Sequence, residues 1–113
     1  MFTEAGHTID SLDVVKKSVE EKSAVILDVR EQAEWDAGHL ADAEFIPLSK
    51  LKEASNVAEV LAPLPKDCPI YVHCRSGGRV LMFAEIAQNK GYDIRPLKAG
   101  YDRLLEAGFK KAE

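Results

Sequence analysis

Mostly apolar runs alternate with amphipathic stretches along this chain. Residues 24–29 and 69–73 are nearly all apolar, which is typical of strands buried on both faces of a sheet. Shorter strands are predicted at residues 8–9, 44–46 and 93–97. Because predicted strands and helices alternate, the pattern favours a parallel sheet covered by helices.

The stretches between these strands carry apolar residues at helical spacing. Leu12, Val15 and Val19 recur in this way, with charged residues between them. Three of the predicted helices are followed by a glycine, the residue that most often ends a helix. Helices are predicted after a cap at Asp10 or Ser11, over residues 31–37 before Gly38, irregularly from Ser49 through Leu61, over residues 79–90 before Gly91, and over residues 101–107 before Gly108.

The composition is that of an ordinary globular protein. The chain has 113 residues, of which 46% are hydrophobic and 30% are charged, and its net charge is −4. We expect one domain over residues 1–113, with its core at about residues 9–109. No apolar run reaches the ~18 residues of a membrane span. The acidic balance makes general nucleic-acid binding unfavourable, because phosphate neutralisation needs clustered Lys and Arg. Neither a membrane nor a nucleic acid is therefore an expected partner.

Two cysteines, Cys68 and Cys74, flank the strand predicted at residues 69–73. Six steps along an extended chain separate their Cα atoms by ~20 Å, whereas a disulfide needs ~5.5 Å. We therefore expect two free thiols, with Cys68 as a buried structural thiol. Free thiols suit a reducing compartment, and the first residues lack the basic and apolar regions of a signal peptide. The expected location is the cytoplasm.

The most informative feature is a glycine-bearing loop between a strand and a helix. Cys74 stands at the carboxyl end of the strand, where open α/β sheets bind ligands. The backbone N–H groups of such a loop can converge into an anion-binding nest, which the helix dipole reinforces. These effects favour a reactive thiolate at Cys74. The candidate site residues are Cys74 as nucleophile, with Arg75, Ser76, Gly77, Gly78 and Arg79 as the residues that bind substrate.

The spacing of this loop separates it from phosphate-binding loops. The chain contains no G-x-x-x-x-G-K-[ST] motif, which excludes a P-loop. Cysteine phosphatases place Arg in a C-x5-R pattern, but this chain has C-x4-R, and Val80 occupies the phosphatase position. The shorter loop predicts a tighter nest that fits one sulfur atom better than a phosphoryl group. A small cysteine phosphatase or arsenate reductase is thus the less favoured alternative.

Three separated motifs, in this order along the chain, resemble the single-domain rhodanese family, the thiosulfate sulfurtransferases. The loop Cys74–Arg79 is close to the family pattern C-R-S-G-x-R. The upstream motif comprises residues 27–30, Glu34-Trp35, residues 38–40, Ala43 and Ile46-Pro47, and the downstream motif comprises Leu97, Gly100 and Gly108-Phe109. The resemblance covers about residues 9–109. It implies a rhodanese-like α/β fold, with a central, mostly parallel five-stranded sheet and helices on both faces.

The resemblance also implies a mechanism and a set of partners. Cys74 would attack the outer sulfur of thiosulfate and retain it as a persulfide, which cyanide or a thiol then removes. Arg75 and Arg79 would hold the substrate oxyanion, and Arg79 would also brace the loop. No metal or organic cofactor is implied. Two alternatives stay open: a non-catalytic rhodanese-like docking module, and a persulfide carrier whose acceptor is a partner protein.

Other polar residues near the predicted strand ends have structural interpretations. Asp28 and Arg30 could support the loop, but an ion pair of Arg30 with Glu31 or Glu34 is favoured. His39 has no partner at metal-ligand spacing, so we expect a structural hydrogen bond. His73 is adjacent to the nucleophile in sequence, so the pleat should direct it to the opposite face of the sheet.

Overall fold

A computed structural model describes residues 2–113. Helices and strands alternate along most of this part of the chain, as the hydrophobic pattern predicts. The strands are β1 (Val25–Asp28), β2 (Ala43–Phe45), β3 (Pro69–His73) and β4 (Asp93–Pro96). The helices are α1 (Leu12–Glu20), α2 (Gln32–Ala37), α3 (Leu48–Lys52), α4 (Val57–Leu61), α5 (Arg79–Ala87) and α6 (Tyr101–Glu106).

The four strands form one parallel sheet in the order β2-β1-β3-β4. In the centre of the sheet, Ile26 of β1 is in register with Tyr71 of β3. On the next pair, Ile70 of β3 is in register with Ile94 of β4. Because all strands run the same way, the residues that follow β1 and β3 lie together at the carboxyl ends of the strands.

The sheet has four strands, not the five that the sequence predicts. At the predicted first strand, the Thr8 N–H donates to the Pro96 carbonyl at 2.8 Å, beside the outer edge of β4. Pro96 has no N–H with which to return a ladder hydrogen bond, so the pairing does not extend. Ile9 is consequently 61% exposed. The segment lies along the sheet edge without joining it.

Helices cover both faces of the sheet, as predicted. Leu27, Ile70 and Val72 face the cluster that also holds the buried residues of α3, α4 and α5. On the other face, Ile26 and Tyr71 pack against the buried residues of α1 and α6. The two central strands, β1 and β3, therefore contribute alternate residues to two separate apolar clusters.

Two helix boundaries differ from the prediction. The irregular stretch from Ser49 through Leu61 is two short helices, because the Asn56 side chain accepts from the Glu59 N–H and starts α4. Helix α5 ends at Ala87, not at residue 90, because Gln88 is extended and Asn89 has a φ of 62°. Within residues 2–113, no helix has the length and apolar character needed to cross a membrane.

Candidate active site

Cys74 follows the last residue of β3, beside the start of α6. Its carbonyl accepts a hydrogen bond from the Tyr101 N–H at 2.9 Å, which fixes the backbone at this point. The side chain is 0% exposed and belongs to the same apolar cluster as Val29 and Val80. The sulfur is therefore held below the loop, out of contact with bulk water.

One backbone amide of the loop reaches this sulfur. The Gly77 N–H donates to Cys74 Sγ at 3.2 Å. Within residues 2–113, no other backbone amide lies within hydrogen-bonding distance of Sγ. The anion-binding nest expected from the sequence therefore has one donor to the sulfur. The Leu81 N–H, for example, donates instead to the Gly78 carbonyl at 3.2 Å. The hydrogen bond from Gly77 is of the kind that stabilises a thiolate or a persulfide anion.

Glycines allow two close backbone approaches around the loop. Gly77 has a φ of +86°, and a Cβ there would lie 2.7 Å from the Lys98 carbonyl oxygen. A Cβ on Gly100 would lie 1.7 Å from the Arg75 carbonyl oxygen. The segment that leads into α6 therefore packs directly against the loop backbone. A third contact comes from His7, whose Nε2 is 2.6 Å from the Gly77 carbonyl oxygen.

Arg79 is paired with a carboxylate. Its Nη1 and Nη2 donate to the two carboxylate oxygens of Glu34 at 2.6 and 2.9 Å. The hydrogen bond from Arg79 is the main cause that lowers the pKa of Glu34 to about 2, and Glu34 in turn raises the pKa of Arg79. The charge of Arg79 is thus largely balanced by Glu34, and Arg79 makes the bracing contact that the resemblance implies.

The outer residues of the loop are open to solvent. Arg75, Ser76 and Gly78 are exposed. Arg75 also lines a surface cavity of about 260 Å³, together with Arg30, Glu34, Ala37, Tyr101 and Asp102. Among residues 2–113, the Arg75 side chain has no hydrogen-bond or ion-pair partner, so the loop presents its charge to solvent beside the buried sulfur.

The predicted partner of Arg30 is wrong. Arg30 binds Asp28, with its Nε 3.0 and 3.1 Å from the two carboxylate oxygens and its Nη2 2.8 Å from Oδ2. Glu34 is not available because it pairs with Arg79. Arg30 also donates to the Gly38 carbonyl at 2.7 Å and lies over the Tyr101 ring, 4.1 Å from its centroid. The pair thus links β1 to the start of α6.

The predicted assignments of His39 and His73 are both confirmed. The Nδ1 of His39 is 3.0 Å from the Trp35 carbonyl, and the two rings stack with centroids 3.6 Å apart. His73 packs near Tyr101, on the face opposite Cys74, and is 0% exposed. Burial lowers the pKa of His73 to about 4, although the Asp28 carboxylate 3.8 Å away opposes this change. His73 is therefore neutral at neutral pH.

Both cysteines are free thiols, as expected. Cys68 is half-buried, less than the fully buried thiol predicted, because it precedes β3 at the opposite end of that strand from Cys74. Burial, and then the nearby carboxylates of Asp67 and Asp93, raise the pKa of Cys68. The Cys68 thiol is thus protonated and a poor nucleophile at neutral pH.

Sequence comparison identifies the family. A model described as "Rhodanese-like domain" matches residues 11–107. The chain belongs to the rhodanese-like domain family. It is thus a member of the rhodanese sulfurtransferase superfamily, and the expected rhodanese-like α/β fold is confirmed. The matched residues include the whole Cys74–Arg79 loop together with Glu34 and Gly100.

Curated relatives of this rhodanese-like domain are longer proteins. It is 32% identical over 83 residues to the uncharacterized protein YqhL of Bacillus subtilis, covering 73% of this chain and 61% of that protein. It is 28% identical over 113 residues to a tRNA uridine(34) hydroxylase of Protochlamydia amoebophila, covering 97% of this chain and 34% of that protein. The domain therefore spans about a third to three fifths of these two relatives.

Solved structures include single-domain proteins of similar size. The human single-domain sulfurtransferase TSTD1 is 28% identical, with a TM-score of 0.70 over 86% of this chain and 94% of that chain. A rhodanese-related protein of Thermoplasma volcanium is 26% identical, with a TM-score of 0.71 over 89% of this chain and 93% of that chain. The rhodanese-like domain thus aligns with nearly the whole of two independent proteins.

The contacts of three residues with the loop were not predicted: His7 was missed, Glu34 was assigned to Arg30, and Gly100 was noted only within the family motif. His7 and Glu34 contact the loop from positions 70 and 45 residues away in sequence, and no periodicity or spacing rule links such distant positions. Gly100 carried a local signal, because a glycine lets another backbone segment approach closely.

Proposed function

We propose that this rhodanese-like domain transfers sulfane sulfur from thiosulfate to cyanide or a thiol through a persulfide on Cys74. The observation that carries the proposal is the hydrogen bond from the Gly77 N–H to Cys74 Sγ, 3.2 Å long, at the carboxyl end of β3. A donor placed on a cysteine sulfur stabilises negative charge there, both on the attacking thiolate and on the persulfide that replaces it.

The proposed chemistry consists of two displacements at sulfur. The Cys74 thiolate attacks the outer sulfur of thiosulfate, a new S–S bond forms, and the S–S bond of thiosulfate breaks. Sulfite leaves with the bonding electron pair. Cyanide or a thiolate then attacks the outer sulfur of the persulfide, and the Cys74 thiolate departs in its turn. Neither step needs an added oxidant or reductant, because in each one the nucleophile supplies the electron pair of the new bond and the leaving group takes that of the broken bond.

The charges around the loop support an anionic substrate. Arg75 is exposed at the loop surface, and its side chain lines the cavity beside Tyr101 and Asp102. In the proposal, Arg75 binds the sulfonate oxygens of thiosulfate as a freely available cation. Arg79 has its two terminal nitrogens on Glu34 and serves to hold the loop in place.

Burial of the sulfur imposes a condition on this proposal. Cys74 is 0% exposed, so in the proposal the exposed loop residues Ser76 and Gly78 move aside to admit thiosulfate. Once the loop closes, the same burial protects the persulfide from water and from unwanted thiols. We therefore place donor access at the loop between Arg75 and Gly78.

Intact mass spectrometry tests the proposal. The reduced protein is incubated with thiosulfate, separated from it and weighed; the mass should rise by ~32 Da, one sulfur bound at the nucleophilic thiolate. Cys68→Ser should gain the same mass, and Cys74→Ser should gain none. Adding cyanide should remove the extra mass and yield thiocyanate. Equal labelling of Cys74→Ser, or no mass gain in the unaltered protein, would contradict the proposal.

A persulfide carrier is the second candidate. It is favoured by similarity to YrkF of Bacillus subtilis, whose name proposes it as a sulfur carrier protein; the identity is 32% over 83 residues, or 73% of this chain and 42% of that protein. A carrier would load sulfur but turn over slowly with cyanide. Steady-state release of thiocyanate, compared with the single-turnover loading rate on the same sample, separates the two candidates.

A further inference from the structure

A buried histidine from the amino-terminal segment contacts the loop. His7 is 7% exposed, and its Nε2 lies 2.6 Å from the carbonyl oxygen of Gly77, a residue 70 positions away. A carbonyl oxygen only accepts hydrogen bonds, so Nε2 carries the proton in this contact. Both the neutral Nε2–H tautomer and the imidazolium ion satisfy this requirement.

The backbone around this histidine is held on both sides. The Thr3 N–H donates to the His7 carbonyl at 2.6 Å, and the His7 N–H donates to the Thr3 hydroxyl at 3.1 Å. The next residue, Thr8, donates its N–H to the Pro96 carbonyl at 2.8 Å. The imidazole is thus supported by a turn on one side and by the edge of β4 on the other.

Gly77 is the residue whose amide contacts the nucleophilic sulfur. Its N–H donates to Cys74 Sγ at 3.2 Å, and its carbonyl accepts from His7. Glycine has unusual rotational freedom, and this one has a φ of +86°. With both polar groups bound, this freedom is removed and the Gly77 N–H stays directed at the sulfur.

The hydrogen bond from His7 also fixes the direction of the Gly77 carbonyl oxygen, the negative end of its peptide group. A carbonyl oxygen that turned toward Cys74 Sγ would repel a thiolate or a persulfide anion. The Gly77 carbonyl cannot make this turn while it is bound to His7. The backbone of Lys98 packs against another side of Gly77: a Cβ on Gly77 would lie 2.7 Å from the Lys98 carbonyl oxygen.

We propose that His7 is a positioning residue for Cys74: its imidazole N–H holds the Gly77 carbonyl and thereby keeps the Gly77 amide on the cysteine sulfur. The sulfur-transfer part of this inference rests on the proposed function. The effect on thiol reactivity does not, because it concerns the anion at Cys74 whatever reaction follows. His7 touches neither substrate nor sulfur in this role.

Two variants in a Cys68→Ser background test the inference. His7→Phe keeps a ring of similar size but removes the donor, whereas His7→Gln keeps an N–H at nearly the same reach. We expect His7→Phe to slow sulfur loading at neutral pH about tenfold, the scale of one lost hydrogen bond, and to shift the rate profile to higher pH. His7→Gln should restore the rate to within about threefold. An unchanged profile in His7→Phe, or no recovery in His7→Gln, would overturn the inference.

Alkylation by iodoacetamide provides a readout that does not depend on sulfur transfer. The rate of Cys74 modification, followed by mass against pH, should shift in His7→Phe as the loading profile does. If the unaltered protein takes up no sulfur, the proposed function fails, and the alkylation profile still decides the role of His7. An alkylation profile that His7→Phe leaves unshifted contradicts that role even where sulfur loading is normal.

A control variant separates positioning from general anchoring of the segment. Asp10 accepts from the Tyr71 hydroxyl at 2.7 Å and from Arg95 at 2.8 Å, and so fixes the same segment away from the loop. Asp10→Asn should lower the melting temperature but leave the pH profile of Cys74 in place. A shift in Asp10→Asn as large as that in His7→Phe would refute the positioning role.

A measurement on the unaltered protein covers the case in which His7→Phe does not fold. Long-range proton–nitrogen correlation spectra report which imidazole nitrogen of His7 carries the proton. The contact with Gly77 requires a proton on Nε2. A neutral ring protonated only at Nδ1 would exclude this hydrogen bond and, with it, the inference.

Discussion

Glu34 of α2 and Arg79 of α5 form a two-point ion pair, with N···O distances of 2.6 and 2.9 Å. The pair joins Arg79, which is the last residue of the loop motif and the first of α5, to helix α2, which connects β1 to β2. Both side chains are 29% exposed, so water screens the pair only in part. The last residue of the loop motif therefore acts mainly as a brace between two helices.

This brace predicts a non-additive pair of substitutions. Arg79→Ala and Glu34→Gln should each slow sulfur loading by several-fold, because each releases the start of α5. The double variant should be no slower than the slower single variant, since one interaction is lost in all three. Loading rates are measured by mass against time. A much larger loss in Arg79→Ala than in Glu34→Gln would show instead that Arg79 binds the substrate.

The same pair predicts a dependence of stability on pH. The pKa of Glu34 in the folded protein is about 2, below the ordinary value of 4.5. Its contribution to stability is therefore complete above pH 4.5 and is lost as the pH falls through about 2. At neutral pH we expect the free energy of unfolding of the unaltered protein to be about 1 kcal/mol higher than that of Glu34→Gln. In acid this difference should disappear. Urea unfolding of both proteins across this range measures the gap; a constant difference would contradict the prediction.

A methyl group at Gly100 should disrupt the loop. Its Cβ would lie 1.7 Å from the Arg75 carbonyl oxygen, although the φ of −88° at this position suits any residue. We expect Gly100→Ala to lower the free energy of unfolding by about 1–3 kcal/mol through overpacking. Gly78→Ala is the matched control, because its Cβ would have nothing within 4 Å. Chemical denaturation of both variants checks this, and equal losses would contradict the steric explanation.

The buried side chain of His73 predicts a second contribution to the loss of stability in acid. Its pKa falls from 6.5 to about 4 on folding, so between these values the unfolded chain binds a proton that the folded protein does not. Stability should therefore decrease as the pH falls from 6.5 toward 4. His73→Leu removes this part of the slope, whereas His39→Gln, at a half-buried ring, should retain it. A wild-type slope in folded His73→Leu would show that His73 is not responsible.

The sequence predicts the site best where its residues are consecutive. Cys74, Gly77 and Arg79 stand in one short motif, so their shared position at the end of β3 follows from the strand and helix that flank it. The contacts of Glu34 and His7 with that motif depend on how distant segments pack. Local patterns carry no information about such pairs. The partner of Arg30 was wrongly predicted because the long-range ion pair with Arg79 occupies Glu34, and Arg30 binds Asp28 instead.

The parallel sheet and the two-faced core follow from the alternation of apolar runs and amphipathic stretches, but the strand order and the absence of a fifth strand do not. Thr8 and Ile9 have strand-like side chains, and local propensity cannot reveal that Thr8 lies opposite Pro96, which has no N–H to return a hydrogen bond. The end of α5 at Ala87 is a similar case, since the backbone leaves the helical conformation at Gln88, before the glycine at position 91.

The close approach of Gly100 to Arg75 limits how this motif can be reused in protein engineering. Transplanting the six loop residues into another scaffold would carry over the thiol and the glycines but not the bare backbone that lies against them. A working graft would have to import that side-chain-free surface, and the carboxylate that grips Arg79, along with the loop itself.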